Sequence, residues 1–277
     1  MSKSVPANNS YDASVAMEFF RSVGKPHEIE KGRKIFAESE KGIPLLLMPN
    51  RMYLLLEGEV SVLVNDKPIA TLQPGEIFGE MAAINQAPRS AAAVAKTRCR
   101  VISLSDRQFH AALSKKPEFA LTLMSIMIGR LRETIGRLNG NSMDAGWREA
   151  MVLDKDLLAE IERRLGPAAR FRFGTGKIIM REGHLGVALY VVVEGRIAIH
   201  VGSTLVEKVG AGGVIGEMGL VDRKPRLATA TAETDCTLLA VSRLDFLKLV
   251  KKNPRFGVSL LSAVSERASS MAERCKP

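Results

Sequence analysis

Thirteen residues recur along this chain at one fixed distance, and no other feature restricts its fold as tightly. Tyr53, Glu57, Gly58, Gly75, Gly79, Glu80, Met81, Pro88, Arg89, Ala91, Thr97, Cys99 and Phe109 return as Tyr190, Glu194, Gly195, Gly212, Gly216, Glu217, Met218, Pro225, Arg226, Ala228, Thr234, Cys236 and Phe246. Each pair lies 137 residues apart, as Arg89 does from Arg226. A constant offset with matching glycines and charges means two copies of one domain, with no gap across the stretch. At 277 residues the chain has room for both. Upstream the copies slip. Lys34-Ile35-Phe36 aligns with Lys177-Ile178-Ile179 at an offset of 143, which gives the first copy six extra residues near Glu38–Met52. A surface hairpin tip tolerates such an insertion.

Within each copy the pattern reads helix, short strands, helix. Ser14–Val23 and Asp154–Leu165 carry apolar residues at helical spacing and stop at Gly24 and Gly166. Strand-like runs follow at Tyr53–Leu56 and Val60–Val64, and again at Leu189–Val193 and Ile197–Val201, each pair broken by Glu-Gly. Each copy then closes on a helix, Pro117–Leu138 and Pro254 to about Arg274. The expected fold class is mainly β with flanking helices: two β-roll or jelly-roll barrels in tandem, each closed by a long C-terminal helix. The expected organisation is a flexible N-terminus over 1–14, a first domain over 15–140, a linker over 141–153 and a second domain over 154–277. The apolar turns Leu121, Met124, Ile128 and Leu131 read as packing surface, which can also serve a homodimer through the closing helices.

The chemistry concentrates in Ile77-Phe78-Gly79-Glu80-Met81-Ala82-Ala83, followed by Ala87-Pro88-Arg89-Ser90-Ala91-Ala92. Its twin is Ile215-Gly216-Glu217-Met218-Gly219-Leu220, followed by Lys224-Pro225-Arg226-Leu227-Ala228-Thr229. Both stretches resemble the phosphate-binding cassette of the cyclic-nucleotide-binding domain family, which includes bacterial catabolite activator proteins, protein kinase A regulatory subunits and cyclic-nucleotide-gated channels. The resemblance covers about residues 15–138 and 154–274. It implies ligand contacts at Phe78, Gly79, Glu80, Met81, Arg89, Ser90 and Ala91, and at Ile215, Gly216, Glu217, Met218, Arg226, Leu227 and Ala228.

These residue types suit a cyclic phosphodiester. It carries one negative charge and two exocyclic oxygens, which a planar guanidinium matches bidentately. Arg89 and Arg226 are the candidates. A short helix between glycine and arginine adds backbone N–H groups and a positive dipole end. Gly79 and Gly216 admit a close backbone approach to the sugar, and Glu80 and Glu217 can accept a hydrogen bond from the ribose 2′-hydroxyl. Leu227 stands where the first copy has Ser90, so the second site is expected to be weaker or silent.

In the activator subfamily a hydroxyl on the closing helix reaches the adenine amino group. Thr134 holds the matching position in the first copy and Met271 in the second. Together with Ser90, this favours cAMP over cGMP as the ligand; the alternative for Thr134 is an ordinary solvated helix residue. No catalytic constellation accompanies the cassettes, so a non-enzymatic receptor is expected, with no cofactor other than its ligand. Its closing helices would signal to an unidentified regulated protein. The formal charge of +10 raises nucleic acid as a partner, but no helix-turn-helix or interleaved aromatics accompany it, so direct DNA binding is not expected. The scattered histidines (His27, His110, His184, His200) form no metal set with the cysteines. Cys99, Cys236 and Cys275 fit reduced thiols in a cytoplasm, and no apolar run spans a bilayer or heads a signal peptide. Two other readings stay open: a degenerate pair of barrels that binds proteins without nucleotide, and a receptor for cGMP or a cyclic dinucleotide.

Overall fold

The computed structural model describes residues 12–40, 50–138, 153–222 and 224–274. The expected flexible N-terminus and linker fall almost entirely outside them. Two compact units emerge: Asp12–Phe119 is one, and the chain from Ala120 onward makes up the other. No helix among the described residues is long and apolar enough to cross a membrane.

In the first unit α1 (Ala13–Val23) starts where Asp12 accepts hydrogen bonds from the backbone N–H groups of Ser14 and Val15. It ends at Gly24 and buries Ala16, Phe19 and Phe20. A side-chain oxygen at this position satisfies N–H groups that a helix start otherwise leaves unpaired. Then come β1 (Lys25–Ile29), β2 (Lys34–Phe36), β3 (Arg51–Glu57), β4 (Val60–Val64), β5 (Lys67–Leu72), β6 (Ile77–Phe78), α2 (Glu80–Asn85), β7 (Ala92–Ala95), β8 (Cys99–Ser105) and α3 (Asp106–Leu113). The long helix α4 (Glu118–Leu138) crosses from this unit into the next. There the order repeats as α5 (Lys155–Leu165), a 3-10 turn at Pro167–Ala169, β9 (Arg170–Phe173), β10 (Ile178–Met180), β11 (Ala188–Glu194), β12 (Ile197–Val201), β13 (Thr204–Val209), β14 (Val214–Ile215), α6 (Met218–Val221), β15 (Thr229–Ala232), β16 (Cys236–Ser242), α7 (Arg243–Lys252) and α8 (Pro254–Arg274).

Each unit holds two four-stranded sheets of identical connectivity. The orders are β1-β8-β3-β6 and β2-β7-β4-β5 in the first, β9-β16-β11-β14 and β10-β15-β12-β13 in the second. The first core gathers Phe36, Leu55, Val60, Leu72, Phe78, Ala93, Ala95, Cys99 and Val101, and the second is built from equivalent aliphatic residues. The mainly β tandem roll read from the sequence is the fold observed.

One alignment needs correction. In the pairing of β2 with β7, Lys34 and Phe36 face Val94 and Ala93; in that of β10 with β15, Ile178 and Met180 face Thr231 and Ala230. The upstream offset is therefore 144, and the first copy carries seven extra residues. Phe36 corresponds to Met180, not to Ile179. The Lys-Ile identity suggested the wrong register because an isolated dipeptide does not fix which side chain points inward.

The repeated Glu-Gly corner has a packing cause. Gly58 and Gly195 adopt φ of 87° and 91°, a region open mainly to glycine. A Cβ on Gly58 would also lie 2.8 Å from Thr97 Oγ1 and 2.9 Å from Cys99 Sγ. Thr97 accepts from Glu59 N at 2.9 Å, and Thr234 accepts from Arg196 N at the same distance. The matched cysteines are buried and donate to the Glu59 and Arg196 carbonyls, so the glycine, threonine and cysteine of each copy form one structural corner. Gly58→Ala is expected to cost about 1–3 kcal/mol, the scale of a strained backbone residue. Gly32→Ala, at a φ of 82° but with open space around a Cβ, should cost less in the same denaturant titration.

Candidate functional site

Strand β6 pairs with β3 so that Phe78 lies opposite Tyr53 and Ile77 opposite Leu54. Phe78 is inside the core, with its ring centroid 5.2 Å from that of Tyr53 and 6.0 Å from that of Phe36. The chain then turns at Gly79 (φ 71°) into α2. Arg89 returns beneath this turn and is 6% exposed. Its Nη1 donates to Gly79 O at 2.7 Å and its Nη2 to Arg51 O at 2.8 Å. Its guanidinium carbon lies 4.2 Å from the Phe36 ring centroid, a cation–π seat. A Cβ on Gly79 would stand 2.8 Å from Arg89 Nη1 and 3.1 Å from Arg51 O, so this glycine makes room for the arginine. Burial pulls the Arg89 guanidinium below its ordinary value, against the opposing fields of Tyr53, Glu40 and Glu80.

The second copy repeats both of these arginine–carbonyl hydrogen bonds, around a half-buried guanidinium. Arg226 Nη1 donates to Gly216 O at 2.7 Å, and Nη2 to Ala188 O at 2.8 Å. Ala188 is the counterpart of Arg51 at the 137-residue offset. Met180 replaces Phe36: its sulfur would lie 2.7 Å from a Cβ on Gly216. The second arginine thus lacks the aromatic seat. Gly186, in the loop before β11, lies so close to the Arg226 guanidinium that a Cβ there would collide with it.

Neither Arg89 nor Arg226 forms an ion pair among the described residues; each spends two of its five N–H donors on neutral carbonyls. Buried charges are ordinarily paired, because desolvation without a counter-charge is costly. Each cassette therefore holds a cation ready for an anion, buried in the first copy and half-buried in the second. Beside them Glu80 and Glu217 are 1% and 4% exposed. Met81 and Met218 are half-buried on the short helices, Ser90 is exposed, and Ala91, Leu227 and Ala228 are half-buried. Ile215 is a core residue. Thr134 falls within α4, but its side chain lies outside the described residues, as do those of Ser269, Ser270 and Met271.

Several side chains around the second cassette escaped the sequence reading. Arg267 on α8 places Nη1 2.9 Å from Glu217 Oε1 and donates through Nη2 to Val214 O at 2.6 Å. It also meets Glu207 of β13 at 3.2 Å. Arg132 on α4 grips Asp222 with Nε and Nη2 at 2.8 and 3.0 Å and donates to Pro225 O at 3.3 Å. One signal was available: Arg130 and Arg267 are themselves 137 residues apart. Arg132–Asp222 left none, since the matching positions hold Ser269 and Asn85.

A family model described as "Cyclic nucleotide-binding domain" matches residues 46–116 and 170–253, more than half of the chain. The chain is 26% identical over 234 residues to a cGMP-dependent protein kinase of Toxoplasma gondii, covering 83% of this chain and 20% of that protein. It is 25% identical over 224 residues to a cAMP-dependent protein kinase regulatory subunit of Eremothecium gossypii, covering 80% of this chain and 43% of that one. A Cyclic AMP receptor protein of Thermus thermophilus is 34% identical over 113 residues, covering 39% of this chain and 52% of its own. The chain thus spans between a fifth and about half of the length of these curated relatives. Among solved structures, the regulatory domain of Toxoplasma gondii PKA with cAMP aligns over 96% of this chain and 91% of its own, at 22% identity and a TM-score of 0.32. Both family matches enclose a glycine–glutamate–arginine cassette, and the chain belongs to the cyclic nucleotide-binding domain family, carrying two copies of the domain.

Proposed function

We propose that the protein is a non-enzymatic cytoplasmic receptor that binds a cyclic mononucleotide, cAMP in preference to cGMP, in both cassettes. Its output is a movement of the closing helices read by a partner protein. The observation that carries this is the pair of cassette arginines, Arg89 buried and Arg226 half-buried, that among the described residues hydrogen-bond to neutral carbonyls and to no carboxylate. A cyclic phosphate supplies the missing negative charge and fits a guanidinium fork. Glu80 and Glu217 then receive the ribose hydroxyl, and Ser90 and Ala91, or Leu227 and Ala228, border the phosphate. The names of the relatives point to a protein kinase as the regulated partner.

Titration calorimetry and thermal unfolding with cAMP, cGMP and cyclic dinucleotides test this. A ligand bound only by the folded state stabilises it by about 2.7 kcal/mol at a hundredfold excess over Kd. A flat trace at millimolar concentrations of all of them would leave a protein-binding scaffold as the better reading. The two sites are expected to be unequal. Met180 lacks the cation–π contact of Phe36, and Leu227 offers no hydroxyl where Ser90 does. Losses of this kind amount to about a tenfold or greater weakening at the second site. Leu227→Ser should narrow the gap in a two-site titration; equal sites in the wild type contradict it.

A further inference from the structure

Behind the second cassette one guanidinium serves two carboxylates. Arg267, 13% exposed, bonds Glu217 through Nη1, while its Nε lies 3.2 Å from both oxygens of Glu207. Burial disfavours the arginine's charge, but Glu207 and Glu217 together more than offset this and hold it above its ordinary value. The Glu207 arm of this arrangement is particular to this copy. Glu207 pairs with Ile199 across β13 and β12, and the equivalent register across β5 and β4 sets Ala70 against Val62. The first copy thus has no carboxylate at that place.

A guanidinium fork released from other partners chelates a single carboxylate with two parallel bonds. Glu207 occupies the Nε edge of Arg267, and Val214 O occupies Nη2, so Glu217 is held at one point by Nη1. We infer that Glu207 is a positioning residue for the second site: by taking one edge of Arg267 it limits that arginine's hold on Glu217 and keeps the carboxylate able to accept a ribose hydroxyl. This rests on the reading that a cyclic nucleotide places its ribose at Glu217. Without Glu207 the full charge of Arg267 bears on Glu217, and the carboxylate becomes a poorer acceptor. Arg267 also loses its tether to β13, one of the three contacts through which this side chain holds α8 to the roll.

The test compares cAMP with 2′-deoxy-cAMP by calorimetry on the full chain, as wild type, Glu207→Gln and Glu207→Ala. The wild-type second site should prefer cAMP by about tenfold or more, the worth of one hydrogen bond to a carboxylate. In both variants this preference should fall below about threefold, while that of the first site stays unchanged. A uniform weakening of both nucleotides with the ratio intact would assign Glu207 a merely structural role and overturn the inference. Hydrogen exchange on nucleotide-free protein supplies a reading independent of ligand. Amides around Arg267 should exchange faster in Glu207→Gln, and unchanged exchange counts against the inference even if no nucleotide binds. Failure of the wild type to bind any nucleotide, with the exchange shift present, overturns the receptor reading and retains the tether.

Discussion

Arg89→Ala is expected to weaken the first site by about 2–5 kcal/mol, roughly thirtyfold to a few thousandfold. The guanidinium is the only group of its cassette that combines a full positive charge with a fixed, water-poor seat between Gly79 O, Arg51 O and the Phe36 ring. Interactions in such a seat are screened less than at the surface. Arg89→Lys should recover little, because an ammonium has no fork to span two carbonyls and a phosphate together. Arg89→Ala should cost the nucleotide-free protein less than it costs binding: it orphans the Gly79 and Arg51 carbonyls, but it also removes a desolvated charge that has no carboxylate partner among the described residues. That split, a large loss of affinity beside a smaller loss of stability, separates a ligand-binding role from a structural one. Calorimetry beside denaturant unfolding measures both halves. If Arg89→Ala binds cAMP as the wild type does, the phosphate is not held there.

Both cassettes and the two-roll architecture were legible because the information is repeated and local. Gly79, Glu80 and Arg89 recur with their neighbours at one offset, and the Glu-Gly corners mark where strands turn. Gly24 and Gly166 stop α1 and α5 where the sequence placed their ends, while the cap at Asp12 starts α1 one residue ahead of the expected Ser14. The register of β2 and β10 was not legible, since the slip falls in a stretch where only a dipeptide matches. Its correction alters the chemistry of the site, replacing an aromatic seat with a methionine sulfur. The contacts of Arg132, Glu207 and Arg267 were invisible for a different reason. They join residues 50 to 90 positions apart in the chain, and a single long-range ion pair leaves no periodic mark in either segment. The sugar-facing role expected of Gly79 and Gly216 has a second physical cause in the structure. Each glycine is needed to seat its arginine before any ligand arrives.

The second large effect is expected at Arg132. From Ala120 onward α4 belongs to the same compact unit as the second roll. Arg132 there meets Asp222 at the end of α6 through two hydrogen bonds, and Pro225 O through a third. The two side chains are 14% and 3% exposed, so water can replace neither partner well. Removing only the cation strands a buried carboxylate, and losses of this type run to about 3–5 kcal/mol. Arg132→Ala should therefore lower the unfolding midpoint of the second unit. It should also weaken the second site, because Asp222 and Pro225 fix the segment that delivers Arg226. The first site should retain its affinity. Part of this cost belongs to the orphaned charge and not to the pair itself, and a double substitution separates the two. Arg132→Met combined with Asp222→Leu removes both charges and keeps most of the volume, and is expected to restore most of the stability. Second-site affinity should recover less, since apolar side chains cannot hold the Pro225 carbonyl. If Arg132→Ala instead leaves both the midpoint and the second site unchanged, α4 does not brace that cassette.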